Sequence, residues 1–243
     1  MDYRVKLANE YLTGKGLEFG ALHNPLTVNP QQAEVAYADK YSKQKLLENF
    51  KELQKIQQSV VETDIFLDLD RDNLQALIDY KFDFFIANHV IEHLVNPLRF
   101  LNNLSSVMKT GSYLYLALPD KEYTFDRDRE LTTWNHLYQE YLQNTTRLSR
   151  NHLEDFILNI TKDHIEDSTR KKKLYDDYHN WFKRLSIRQK HRKRSIHVHV
   201  WNQKTCDEFI TTAIAKLKLN LTIADRVDSS SNQHEMIYIL LKN

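Results

Sequence analysis

The sequence predicts an α/β fold in which a doubly wound parallel sheet is followed by a helical insertion. Between residues 15 and 118, short apolar segments alternate with segments of helical spacing. The strand-like segments are apolar almost throughout, as expected of parallel strands with helices covering both faces. Residues 126–195 differ: they are polar, rich in aromatic residues and free of glycine and proline, which favours helices.

The order of elements follows from these local patterns, beginning with a short amphipathic helix over residues 2–13. Strands are predicted at Leu17–Gly20, Val35–Asp39, Asp64–Asp68, Phe82–Asn88, Ser112–Leu118, Leu221–Arg226 and Met236–Leu241. Helices are predicted at Lys43–Gln57, Asn73–Asp79, Val90–Met108 and Thr205–Lys218, the third of them interrupted at Pro97. We therefore expect a core made of residues 1–125 and 196–243, with residues 126–195 inserted as a cap over an acceptor.

The composition excludes several classes of protein. The chain has 34 Lys and Arg and 33 Asp and Glu, so its net charge is +1. This charge argues against a protein that binds nucleic acid over most of its surface. The 41% of hydrophobic and 28% of charged residues are those of a folded domain. Cys206 is the single cysteine, so no internal disulfide or Cys-rich zinc module is expected. No run of 18 apolar residues and no apolar signal core occurs, which predicts a cytoplasmic protein without a membrane span.

Two features of the first half suggest a nucleoside site. Gly20 ends the first predicted strand, where a ligand can approach the backbone closely, although a tight turn is an equal explanation. The Gly-x-Gly-x-x-Gly cradle of dinucleotide sites is absent. Asp39 ends the next strand about 20 residues later and could accept both hydroxyls of a ribose, or could merely cap a helix.

The most specific block is Phe82–Leu98, where an apolar strand is followed by Asn88-His89 and Glu92-His93. With the Lys-Thr-Gly turn at residues 109–111, this order of blocks resembles the class I S-adenosylmethionine-dependent methyltransferases. Within that family, the chain resembles a bacterial branch often associated with glycan biosynthesis. The segments that match that branch are Leu17–Pro25, Ala87–His93, Pro119–Arg129 and His197–Trp201. Of the wider family's three glycines in the first turn only Gly20 is kept, with Leu22 and Asn24 at the other two places.

The resemblance implies a Rossmann-like sheet of seven strands with the last antiparallel, and S-adenosyl-L-methionine as cofactor. Glu18, Gly20 and Ala21 would meet the methionine end of the cofactor, and Asp39 its ribose. Asp70 would lie near the adenine amino group, with Asp68 as the neighbouring choice. Asn88, His89 and His93 complete the implied cofactor-binding set. The implied reaction is methyl transfer to a hydroxyl of a saccharide or related small molecule.

A hydroxyl acceptor benefits from a general base. The candidates are Asp120, at the tip of the fifth strand, His197 and His199, since histidine titrates near neutrality. An equally weighted alternative is that both histidines lie on one face of a strand and are satisfied by hydrogen bonds.

The run from His89 to His93 also reads H-x-x-E-H, a zinc-protease pattern. Its start at the end of an apolar strand argues against a protease, so no metal ligands are assigned. A remaining alternative is that His89, Glu92 or His93, with a downstream histidine, binds a divalent metal that orients an acceptor diol.

A basic run, Lys183–Arg194, follows Arg170–Lys173 and is flanked by aromatic residues. We interpret it as a solvated helix face, so nucleic acid is not a predicted partner. The expected partner is a small-molecule or glycan acceptor. If the basic run is not merely a solvated face, the next interpretation is that it binds an anionic acceptor. The alternatives are an RNA-directed methyltransferase and a non-catalytic binding module with a degenerate cofactor site; no oligomeric state is predicted.

Overall fold

The structure is a computed structural model that describes residues 2–159 and 196–243. Its centre is a seven-stranded sheet with the order β3-β2-β1-β4-β5-β7-β6. Neighbours among β1 to β5 are parallel, whereas β7 is antiparallel to both β5 and β6. The predicted sheet with an antiparallel last strand is therefore confirmed. The strands are β1 (Gly14–Phe19), β2 (Ala33–Asp39), β3 (Ile65–Phe66), β4 (Phe84–Asn88), β5 (Tyr113–Pro119), β6 (Leu221–Val227) and β7 (Glu235–Lys242).

The helices cover the sheet and join the strands. They are α1 (Tyr3–Tyr11), α2 (Lys43–Asn49), α3 (Pro97–Val107), α4 (Trp134–Leu142), α5 (Arg150–Asn159) and α6 (Gln203–Lys216). Short 3-10 helices lie at Lys51–Ser59, Leu74–Tyr80, Ile91–His93, Lys121–Tyr123 and Ser229–Ser231.

The predicted helix Val90–Met108 is split into two elements. A 3-10 turn over Ile91–His93 is followed by extended residues, and α3 begins at Pro97. Proline suits this first helical position because its missing N–H would have no partner there, and Asn96 caps the helix by accepting the Arg99 N–H. The split holds Glu92 and His93 in a short turn beside the strand ends.

Apolar layers lie on both faces of the sheet, which explains why the central strands have no polar face. Alternate residues of β4 enter different clusters: Phe85 and Ala87 pack beneath α3 and α6, whereas Phe84 and Ile86 pack against α1. Gly16 of β1 makes room for Phe84, since a Cβ at Gly16 would lie 1.9 Å from the Phe84 ring.

Within the segment predicted as an insertion, residues 126–159 are described and contain α4 and α5. The rest of residues 126–195, including both basic runs, lies outside the described residues. In residues 2–159 and 196–243, no helix combines the length and apolar character needed to cross a membrane.

Candidate active site

A cavity of about 440 Å³ opens at the carboxyl ends of β1 to β4. This volume is in the range of small-molecule sites, and the carboxyl edge is where ligands bind in doubly wound sheets. Five residues of the predicted cofactor set lie in its wall: Gly20, Asp39, Asp70, His89 and His93. Leu148, which precedes α5, and Ile196 form part of the same wall.

The turn after β1 has left-handed backbone at two positions. Gly20 has φ +62°, and Leu22 has φ +52° although it has a branched side chain. Leu22 lies in the cavity wall and packs beside the apolar cluster of Leu46, Leu53 and Val60. The loss of a glycine at residue 22 has therefore not removed the glycine-like conformation of this turn.

Asp39, the last residue of β2, and Asp70, which follows β3, place two carboxylates in the cavity wall. Asp39 accepts the Tyr41 N–H at 3.0 Å, and Asp70 accepts the Val95 N–H at 2.8 Å. Burial raises the pKa of Asp39, and it raises the pKa of Asp70 to about 6. The neighbouring Asp68 is instead ion-paired with Lys40 at 2.7 Å. Asp70 is thus the better placed of the two predicted carboxylates for a hydrogen-bond donor in the cavity.

Asn88 and His89 form the tip of β4. Both polar atoms of the Asn88 side chain are buried and have no hydrogen-bond partner among the described residues. His89 has a left-handed backbone, with φ +50°. Its Nε2 lies 2.7 Å from the Glu235 carboxylate, and its Nδ1 lies 3.5 Å from Glu92 Oε1. Burial lowers the pKa of His89, but the hydrogen bond to Glu235 and the negative charges of Glu92 and Glu235 together outweigh it, and the pKa rises overall.

Glu18 and Ala21 lie outside the cavity wall and shape the turn after β1. Both carboxylate oxygens of Glu18 accept the Leu26 N–H, at 3.0 and 3.1 Å. The Ala21 carbonyl accepts the Asn24 N–H at 2.9 Å. Burial raises the pKa of Glu18 to about 7.

Three further groups meet beside His89. One side-chain ligand atom each from Glu92, His93 and His197 lies within 4.8 Å of the others. The His93 and His197 rings meet edge to face, with centroids 4.7 Å apart. The His197 Nδ1 lies 2.5 Å from the Asp126 carboxylate, which orients the ring, and Nε2 has no hydrogen-bond partner among the described residues. Although burial raises the pKa of Asp126, the hydrogen bond to His197 and the ion pair with Arg129 lower it overall.

Comparison with known proteins decides the family. Residues 7–157 match the family model described as a methyltransferase domain. The chain belongs to this methyltransferase family. The match confirms that the predicted enzyme is a methyltransferase. No curated protein matches the methyltransferase in sequence.

Several solved structures are similar to it at low sequence identity. A putative zinc-dependent alcohol dehydrogenase from Rhodobacter sphaeroides is 13% identical over 98% of this chain and 87% of that chain, with a TM-score of 0.52. An S-adenosylmethionine-dependent methyltransferase from Clostridium acetobutylicum is 10% identical over 97% and 86%, with a TM-score of 0.48. The CurJ carbon methyltransferase is 12% identical over 96% of this chain, which spans 49% of that chain, with a TM-score of 0.43.

None of the three residues predicted as general bases in this methyltransferase lies in the cavity wall, although His197 contacts His93, which does. The Asp120 carboxylate accepts the N–H of Glu122 and of Gln203, both at 3.0 Å, and the Ser229 hydroxyl at 2.7 Å. It therefore joins the end of β5 to the start of α6. His199 is fully buried and donates from Nε2 to the Val95 carbonyl at 3.3 Å. Burial, and then the nearby His152 and His136, hold the pKa of His199 well below its usual value.

Asp126, Arg4 and Glu235, which hold His197 and His89 in place, are not among the site residues predicted from the sequence. Asp126 lies in the Pro119–Arg129 block, so its place in that motif was an available signal. Arg4 donates to the Glu235 carboxylate at 2.5 Å, and nothing local in the sequence indicates a pairing between α1 and β7.

Proposed function

We propose that this methyltransferase transfers a methyl group from S-adenosylmethionine, bound in the 440 Å³ cavity, to a hydroxyl of a saccharide or related small molecule. The principal support is the pair of carboxylates, Asp39 and Asp70, in the cavity wall at the ends of neighbouring strands. Carboxylates there suit the hydroxyls of a ribose and the amino group of a base, both of which donate hydrogen bonds.

The other residues in and near the wall suit the same ligand. The backbone at Gly20 can be approached closely because no Cβ projects from it. The unpartnered Asn88 amide offers a donor and an acceptor that the described residues leave unused. Acidic groups also suit a ligand whose reacting sulfur is positively charged. When bound, S-adenosylmethionine supplies an electrophilic methyl group, and its carbon–sulfur bond breaks with the electron pair left on sulfur.

The acceptor is proposed to bind beside the group formed by Glu92, His93 and His197, of which His93 lies in the cavity wall. Three of the segments that resemble glycan-associated methyltransferases meet there, since His93 contacts His197 and His197 bonds to Asp126. The Nε2 of His197, which the described residues leave unbonded, can take up the proton of an acceptor hydroxyl or bind a cation that acidifies that hydroxyl. In either case Asp126 positions the ring, and the wall aligns the acceptor oxygen and excludes water.

The first experiment is a calorimetric titration of the full-length protein with S-adenosylhomocysteine. We expect micromolar binding that Asp39→Ala weakens at least tenfold, about 1.4 kcal/mol. Asp79→Ala, at an exposed aspartate outside the cavity wall, is the control and should bind like wild type. Absence of binding at millimolar ligand would contradict the proposed cofactor site.

The acceptor is then sought with S-adenosylmethionine and a panel of sugars and nucleotide-linked sugars. The products are analysed by mass spectrometry for the replacement of one hydrogen by a methyl group. Methylation of amines or carbon acids, with no methylated hydroxyl in the panel, would contradict the proposed acceptor class while leaving the cofactor site intact.

A further inference from the structure

A buried group of electron-rich atoms lies in and behind the cavity wall. Glu92 is 0% exposed, and His93, which lies in the wall, and His197 present ring nitrogens to it. One ligand atom from each residue lies within 4.8 Å of the other two. The question is what positive charge compensates this group.

The hydrogen bonds of the two imidazoles fix where their protons are. The His93 Nδ1 lies 2.9 Å from the Ile196 carbonyl, which can only accept, so Nδ1 must be protonated. The His197 Nδ1 lies 2.5 Å from the Asp126 carboxylate and is likewise the donor. In the neutral form of each ring, Nε2 therefore has a lone pair. Burial lowers the pKa of His93, which favours that neutral form.

The Glu92 carboxylate lacks donors. Both of its oxygens are buried, and neither has a hydrogen-bond partner among the described residues. The nearest ring nitrogens are His89 Nδ1 at 3.5 Å and His93 Nε2 at 3.8 Å from Oε1. His89 is already hydrogen-bonded to Glu235, at 2.7 Å, on its other side. A buried carboxylate without a partner is strongly unfavourable, so a cation beside Glu92 would relieve it.

We infer that Glu92, His93 and His197 bind a divalent transition-metal ion beside the cavity, at the point where His93 lies in its wall. Two imidazoles and one carboxylate with room for another ligand is an arrangement used for zinc and other transition metals. Mg²⁺ and Ca²⁺ prefer oxygen ligands, so they are poor candidates. The Nδ1 bonds to Ile196 and Asp126 are the outer contacts that typically orient metal-binding histidines.

The inferred role of the metal rests on the proposed function. An ion at this point would fix the acceptor oxygen and lower the pKa of its hydroxyl. The metal site itself can be tested without acceptor or methyl transfer.

The experiment uses full-length protein stripped of metal with a chelator and then titrated with Co²⁺, followed by its visible absorption, and with Zn²⁺, followed by calorimetry. We expect a site of micromolar affinity or tighter in wild type. Glu92→Gln and His197→Gln should each weaken it by at least a hundredfold. His152→Gln is the control, because His136, Glu140 and His152 form a separate group of possible ligands and that variant should keep the cobalt spectrum.

Thermal unfolding separates a metal site from simple charge pairing with His89. If Glu92 serves a metal, metal-free Glu92→Gln should be at least as stable as metal-free wild type, and only wild type should gain stability with Zn²⁺. The inference would be overturned if Glu92→Gln were less stable than wild type and still bound the metal equally well. It would also be overturned if wild type bound no metal, or if only His152→Gln lost the metal. Binding of S-adenosylhomocysteine to the metal-free protein tests the cofactor site independently.

Discussion

The His89 imidazole lies 2.7 Å from the Glu235 carboxylate, although 146 positions separate the two residues. The contact joins the tip of β4 to the start of β7, across the intervening strand β5. Arg4 of α1 binds the same carboxylate at 2.5 Å. Burial raises the pKa of Glu235, but the bonds from Arg4 and His89 outweigh it and lower the pKa to about 2. An ionised Glu235 thus supports the left-handed residue in the cavity wall.

Glu235→Gln should lower the free energy of unfolding by about 3 kcal/mol at pH 6, because it breaks a buried ion pair. The pKa of Glu235 is lower in the folded chain than its ordinary value of 4.5. The stabilisation is therefore full above pH 4.5 and is lost as the pH falls toward about 2. Urea denaturation of both proteins at several pH values measures it. Glu62→Gln, at a mostly exposed ion pair with Lys43, should cost less than about 1 kcal/mol. If the difference in free energy of unfolding between wild type and Glu235→Gln grew as the pH fell, this account would be refuted.

The affinity for S-adenosylhomocysteine should rise roughly tenfold between pH 5 and pH 7, if Asp70 accepts a hydrogen bond from the ligand. The pKa of Asp70 is about 6, raised by burial, so the free protein holds a proton there in acid that binding must release. Calorimetric titrations across this range measure the effect. Asp70→Asn should bind more weakly and lose the pH dependence. Asp68→Asn, whose native carboxylate pairs with Lys40, should retain it; equal profiles for all three proteins would exclude this role of Asp70.

Leu22→Gly should leave the protein more stable than Leu22→Ala, by roughly 1 kcal/mol, because only glycine adopts the left-handed backbone without strain. The comparison isolates the backbone because both variants remove the leucine side chain beyond Cβ. Leu26, a buried residue with ordinary backbone, is the matched position, and there alanine should be the more stable of the two. Denaturant unfolding of the four variants gives the difference in stability between glycine and alanine at each position. If alanine were the more stable residue at position 22 as well as at position 26, the backbone at Leu22 would not be strained.

Asp120→Ala should affect stability rather than methyl transfer. The change leaves two N–H groups and one hydroxyl without their acceptor, at an expected cost of about 2–3 kcal/mol. The free energy of unfolding and the rate of methyl transfer per folded molecule are both measured. Asp128→Ala, at an exposed aspartate, is the control. A rate reduced a hundredfold or more in fully folded protein would restore Asp120 as a candidate base.

The part of the site formed by strand ends could be predicted from the sequence. Asp39, Asp70 and His89 each follow a strand, and the carboxyl ends of parallel strands gather at one edge. That rule places residues near a ligand without any knowledge of distant contacts. It succeeded for the cavity wall because β1 to β4 are neighbours in the sheet.

The supporting contacts could not be predicted because they join segments far apart in the chain. The pairing of Asp126 with His197 depends on how residues 119–129 meet residues 196–201, which no periodicity fixes. Asp120 follows the same strand-end rule as Asp39, yet it packs under Ser229 and the start of α6. A strand end indicates an edge of the sheet; whether a side chain there faces the cavity depends on the elements that cover it.

The sheet order also has a consequence for synthesis on the ribosome. β7 fills the gap between β5 and β6, and its residues Glu235–Leu241 pair with Tyr113–Pro119. Until those residues leave the exit tunnel, β5 presents an unpaired apolar edge to other nascent chains. A premature stop before Glu235 would make that edge permanent and remove the carboxylate that holds His89. Such fragments are therefore expected to aggregate rather than persist as weakened enzymes.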